Sequence, residues 1–156
     1  DRVEFHRMKS SELAGSWNRP LRLLWIDGNH SYMETRRDFD SYLPWLADGG
    51  MIAMHDVLHE YEGPVRVFAE DVLLSRHFGA AGISGSIGWA QYHHNPGVTG
   101  RHVAEKLRLY RKLKRLVPFV AFDGHPRGIS RFQYKMYRSR VPHGGISPTR
   151  WLQKVA

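Results

Sequence analysis

Two short apolar runs, each ending directly in an ionisable cluster, constrain this chain more than any other feature. Leu21 to Ile26 is apolar apart from Arg22 and stops at Asp27-Gly28, while Met51-Ile52-Ala53-Met54 runs straight into His55-Asp56. Short apolar runs of this kind fit strands buried on both faces, as in parallel sheets. Between them, Ser31-Tyr32-Met33-Glu34 reads as a capping box, the Ser hydroxyl accepting from first-turn amides while Glu34 reaches back. Apolar residues then recur at Tyr32, Phe39, Tyr42, Leu43 and Leu46, near a 3.6-residue period, until Asp48-Gly49-Gly50 ends the helix. Strand, helix and strand in this order make a βαβ unit with parallel strands and a right-handed crossover.

The ends of those strands carry chemistry. Ligands in open α/β sheets bind beyond the carboxyl ends of the strands. Neighbouring strands lie about 4.8 Å apart, so Asp27 and Asp56 are close enough to share one divalent ion. His30, three residues after Asp27, falls on the loop above the same edge. Two carboxylates, an imidazole and open positions for substrate oxygens suit Mg²⁺, Mn²⁺ or another divalent cation.

The rest of the chain reads more coarsely. Val3 to Met8 alternates as a half-buried strand does, and Ser10-Ser11-Glu12-Leu13-Ala14 reads as a short helix with a Ser cap. Asn18-Arg19-Pro20 is a turn. Gly63-Pro64 punctuates before a helix over Val65 to Leu74, and Gly79 to Tyr92 forms two strands joined near Ser84-Gly85-Ser86. A basic amphipathic helix is expected from about Arg101 to Leu116, with Val103, Leu107, Tyr110 and Leu113–Leu116 on its apolar side and Pro118 ending it. From Phe119 to Ala156 little periodicity is visible.

Charge divides the chain. Residues 1–100 hold 9 Lys and Arg against 13 Asp and Glu, and residues 101–156 hold 14 against 2, so the net charge of +8 comes from the tail. An anionic partner would therefore be met there. The segment 101–115 suits a membrane surface better than nucleic acid, for which no recognised RNA-binding motif is present. The absence of cysteine excludes disulfides and thiolate metal sites and fits a reducing compartment. The expected location is cytoplasmic, peripheral to a membrane. No run of about 18 apolar residues predicts a membrane span.

The order Leu24-Trp25-Ile26-Asp27-Gly28-Asn29-His30-Ser31-Tyr32, Asp38, Leu46-Ala47-Asp48-Gly49-Gly50 and His55-Asp56 closely resembles a group of class I S-adenosylmethionine-dependent methyltransferases. These share an "IDG-x-H-x-Y" segment, a "DF" helix, an "L-x-x-GG" turn and an "HD". The resemblance spans about residues 3–92. The group modifies sugar, polysaccharide and natural-product hydroxyls, and is more distantly similar to the catechol-type O-methyltransferases. The resemblance implies a Rossmann-like sheet of order 3-2-1-4-5-7-6, with Val3–Met8 as strand three, Leu21–Ile26 as four, Met51–Met54 as five and the hairpin as six and seven. It makes Asp27 the first metal ligand and sets His55 and Asp56 at the acidic pair that completes the metal site. His30 takes the place of the general base, a position held by Lys in the catechol-type enzymes. Ser10 and Asp27 become the cofactor-side residues, although Met8-Lys9 replaces the Gly-Asp that precedes the family's Ser. Asp38 is expected to orient its helix.

Strands one and two, with the Gly-rich loop and the ribose-binding acid, have no counterpart in this sequence. The expectation is thus an N-terminally truncated methyltransferase sheet over 1–95 with strands three to seven, followed by a basic helical extension over 96–156. S-adenosylmethionine and a divalent metal are the implied cofactors, a small molecule or glycan is the acceptor, and the fragment is inactive alone. The rival readings are a non-catalytic binding or scaffold module, a membrane-associated fragment and, more distantly, a metal hydrolase.

Overall fold

In a computed structural model, which describes residues 3–156, four strands form one mixed sheet flanked by helices. The strands are β1 (Leu21–Ile26), β2 (Leu46–Met54), β3 (Phe78–Ser84) and β4 (Ile87–Tyr92), in the spatial order β1-β2-β4-β3. β1 and β2 are parallel, and β4 runs antiparallel to both β2 and β3. The observed order corresponds to the expected succession four, five, seven, six, and the Rossmann-like fold class is borne out.

The crossover between β1 and β2 is α2 (Tyr32–Tyr42). Ser31 caps it by accepting from Glu34 N at 3.4 Å, but Glu34 does not close a capping box; its carboxylate pairs with Arg37 at 2.7 Å. The helix ends before Pro44 in a 3₁₀ turn at Leu43–Trp45, earlier than Asp48-Gly49-Gly50, which instead lies within β2. Gly49 there has φ of 73°, a conformation that glycine adopts without Cβ strain.

Leu24 and Ile26 pair in register with Ile52 and Met54, and all four are buried on one side of the sheet. Phe39, Val65, Phe68 and Phe78 complete this core. The expectation of burial on both faces of β1 does not hold: Leu23 and Trp25 remain 58% and 49% exposed. β1 is the edge of the sheet, and the opposite face is covered further along, where Trp151 meets Trp89 edge-on with centroids 6.3 Å apart.

Val3 to Met8 forms no strand. Phe5 is almost wholly exposed, and among the described residues the segment has no neighbouring strand to receive its backbone hydrogen bonds. The short helix α1 (Ser10–Ala14) is present, but its N-cap is Lys9, whose amide donates to Glu12 at 3.3 Å.

After β2 comes α3 (Glu62–Val67), which widens into a π-helical stretch over Phe68–Val72. The basic helix α4 spans Val103–Leu113 and follows a 3₁₀ segment, Pro96–His102; Pro118 opens a further short helix, α5 (Val117–Val120), and does not end the preceding one. The tail holds two more helices, α6 (Gly128–Arg138) and α7 (Pro148–Val155), where little periodicity was expected. Leu109, Leu113, Leu116, Val120, Tyr134 and Val141 all join the same core as the sheet. Among the described residues no helix is long and apolar enough to cross a membrane.

The buried stripe of α4 differs from the expected one. It runs through Lys106, Leu109, Leu113 and the following Leu116, while Val103 is exposed. Lys106 fits because its aliphatic stem packs inward while its ammonium donates to Ser75 O at 2.5 Å and to Phe78 O, tying α4 to the start of β3. Burial pushes this ammonium down to about 8 from its ordinary 10.5. Between those two values the unfolded chain binds the extra proton, so folding stability rises with pH across this window. Urea titrations from pH 8 to 10.5 are expected to show that rise in the wild type and to lose it in Lys106→Met.

Candidate functional site

The last rung joining the two parallel strands sets the site. His55 N donates to Ile26 O at 3.0 Å, so β1 and β2 end level and release Asp27 and His55-Asp56 side by side. His55 Nδ1 lies 3.4 Å from Asp27 Oδ1. The chain then turns sharply at Asp56, which has φ of 60° in the left-handed region. Asp tolerates this region better than most side chains, at a cost of about 1–2 kcal/mol. The turn is anchored by Val57 N donating to Ser86 O at 2.9 Å, in the β3–β4 hairpin.

This turn points the Asp56 carboxylate inward, where its side chain is only 10% exposed. Three imidazoles surround it. His30 Nε2 is 3.2 Å from Oδ2, His55 Nδ1 is 3.0 Å from Oδ1, and His59 Nδ1 is 3.3 Å from Oδ1. Despite these distances, His30 Nε2, His55 Nδ1 and Asp56 Oδ1 are buried without a well-directed hydrogen bond. Buried polar atoms left in this state cost about 1–3 kcal/mol each. They cluster around the Asp56 carboxylate, at ion-pair distance from it but without a directed hydrogen bond.

Asp27, His30 and Asp56 each present one atom within 4.8 Å of the others. A divalent cation bound to oxygen or nitrogen at about 2.0–2.3 Å brings its ligand atoms to about 3–4.5 Å of each other. His30 Nε2 stands 4.0 Å from Asp27 Oδ1 and 3.2 Å from Asp56 Oδ2, within that range. The donor set and its orphaned buried atoms therefore fit a divalent metal. His55 abuts both carboxylates but lies outside this three-residue group.

The loop that carries His30 is held from several sides. Thr35 Oγ1 donates to Asn29 O at 3.0 Å, Ser31 N donates to Asn29 Oδ1 at 2.8 Å, and Gly63 N donates to His30 O at 2.9 Å. The His30 ring stacks on Tyr61 with centroids 4.4 Å apart and planes 15° from parallel. The ring plane is thus set before any ligand arrives.

The structure brings Asp27, His30, His55 and Asp56 together. Ser10 stands apart on α1, where its hydroxyl donates to Asp38 Oδ1 at 2.5 Å and its carbonyl accepts from Tyr42 at 2.7 Å. Asp38 thereby ties α1 to α2. His59 and Tyr61 escaped the sequence reading. A signal for His59 was available, because Asp56-Val-Leu-His59 repeats the Asp-x-x-His spacing of Asp27-Gly-Asn-His30. Tyr61 had no such mark, since its role is to stack on a ring that is distant in sequence.

Residues 1–57 match the model of a methyltransferase-domain family. The match takes in β1, α2, β2 and the strand-end pair His55-Asp56. It supports a methyltransferase domain and methyl transfer as the general chemistry, for which S-adenosylmethionine is the general donor.

Gly63 offers a direct test of how tightly the His30 loop is held. A Cβ at this position would fall on Thr35 Oγ1 and within 2.6 Å of the backbone oxygens of His30 and Ser31. Gly63→Ala is expected to destabilise the protein by about 1–3 kcal/mol, as overpacking does, measured by chemical denaturation. An unchanged midpoint would show that the loop yields freely.

Proposed function

We propose that this chain carries the acceptor-activating part of an O-directed methyltransferase, with Asp27, His30 and Asp56 holding a divalent cation. The observation that supports this reading most is the clustering of orphaned buried atoms around the Asp56 carboxylate at the carboxyl ends of two parallel strands. The acceptor is a hydroxyl of a sugar, glycan or natural product. When bound, the cation supplies Lewis-acid charge that lowers the pKa of that hydroxyl.

The chain's own residues account for charge balance and orientation. Asp27 and Asp56 balance the cation's charge, and Tyr61 fixes the plane of His30. His55, between the two carboxylates, adds a further donor at the rim. The sequence offers no Gly-rich strand-to-helix turn to cradle the methyl donor, and Ser10 is engaged with Asp38. The residues present therefore do not fit the donor in the way they fit a cation, and the reading concerns the acceptor side of the reaction.

A second reading rests on the 3.2 Å approach of His30 Nε2 to Asp56 Oδ2. In it, His30 takes the acceptor proton as general base, and Asp56 orients and stabilises the imidazolium without any metal. The two readings exclude each other at Nε2, which cannot ligate a cation and accept a proton together.

Mn²⁺ titration followed by electron paramagnetic resonance separates them. The cation reading expects one bound Mn²⁺ and at least tenfold weaker binding in Asp27→Asn and in Asp56→Asn. Absence of binding, or equal binding by all three proteins, would contradict it and leave the metal-free pair.

A further inference from the structure

Beside the strand-end cluster lies a second cavity, of about 260 Å³, that the proposed reaction has not used. One wall is the turn His59-Glu60-Tyr61 and the other is α6, which contributes Arg131, Lys135 and Arg138. The spacing i, i+4, i+7 sets these three cations on one side of the helix. Tyr134, from the same side, is buried and donates to His59 O at 2.5 Å, which fixes α6 against the turn.

The charges in this cavity do not balance. Arg131 is paired with Glu60, Nε to Oε1 at 3.2 Å. Lys135 and Arg138 have no ion pair among the described residues. Lys135 is exposed and Arg138 half-buried, so solvent screens their repulsion, but both remain free to pair with an anion that enters the shared concavity. The cavity shares Glu60, Tyr61 and His125 with a neighbouring cavity along the Asn29–Ser31 loop, which His30 also lines. An anion held by α6 would thus belong to a molecule whose other end reaches His30.

We propose that this cavity is a subsite for a phosphoryl group of the acceptor, held by Lys135 and Arg138 with His125 at its mouth. The inference rests on the reading of the strand ends as the acceptor site. Phosphoryl oxygens match these donors best: Arg binds them in a bidentate fork and Lys as a mobile point charge. The same headgroup chemistry occurs in water-soluble phosphate esters and in lipid-linked diphosphates. Ile129 and Phe132, exposed elsewhere on α6, are placed to meet a lipid surface in the second case.

Inorganic pyrophosphate, titrated calorimetrically into the full chain with chelator present, tests the subsite without any metal. The expected result is saturable binding that weakens at least tenfold in the double variant Lys135→Gln/Arg138→Gln and is unchanged in Arg111→Gln, an exposed cation on α4. No binding by the wild type, or equal weakening in both variants, would overturn the proposal. The double variant is expected to keep the Mn²⁺ affinity of the wild type. In the wild type, pyrophosphate binding without Mn²⁺ binding would fault only the strand-end reading, and Mn²⁺ binding without pyrophosphate binding would fault only the subsite. Where pyrophosphate binds, co-sedimentation with phosphatidylglycerol vesicles assigns the source. Vesicle binding that is lost in the double variant marks a lipid-linked acceptor, and vesicle binding that is absent or insensitive to it marks a water-soluble one.

Discussion

The hydrogen bond from His55 N to Ile26 O closes the parallel ladder of β1 and β2, and the candidate site depends on it. Parallel pairing sends both strands out of the sheet in the same direction, so their carboxyl ends share one edge. Had they been antiparallel, Asp27 and Asp56 would lie at opposite ends of the sheet. The crossover helix α2 enforces the direction, and its first turn, capped by Ser31, returns the Asn29-His30 loop over the same edge. Local helix capping and global topology therefore act on one small volume.

Within that volume, Asp56 carries an unusual load. It sits in the left-handed region, its carboxylate is almost wholly buried, and three imidazoles approach it. The left-handed backbone and the burial of the carboxylate each cost folding free energy, and neither is needed to complete the hydrophobic core, to which Leu24, Ile52, Met54 and Phe39 belong. Strain and orphaned polar atoms held by a rigid surround are typical of places where a ligand restores the balance. The neighbouring cations of α6 form a second imbalance of the opposite sign, kept in place by Tyr134.

Much of this was legible in the sequence. The strands β1 and β2, their parallel relation, the β3–β4 hairpin and the meeting of Asp27, His30, His55 and Asp56 follow from short apolar runs that end in ionisable residues. What escaped depends on partners distant along the chain. Val3–Met8 has the alternation of a strand but no neighbour to pair with, and a lone segment cannot satisfy its backbone. Trp25 lies in an apolar run but on the uncovered face of an edge strand. Lys106 looks like part of a cationic face, yet two carbonyls from the segment before and into β3 draw it inward. The helices α6 and α7 were hidden because their Gly- and Pro-rich flanks obscured short stretches of helical period. The match over residues 1–57 agrees with the part of the chain whose reading came from the strand ends.

The central claim is that the strand ends form a divalent cation site. Crystals grown with Mn²⁺ and measured at its absorption edge would test it most directly. The account predicts one anomalous peak within ligand distance of Asp27, His30 and Asp56. A well-ordered site with no peak there, or a peak held by other residues alone, would contradict it.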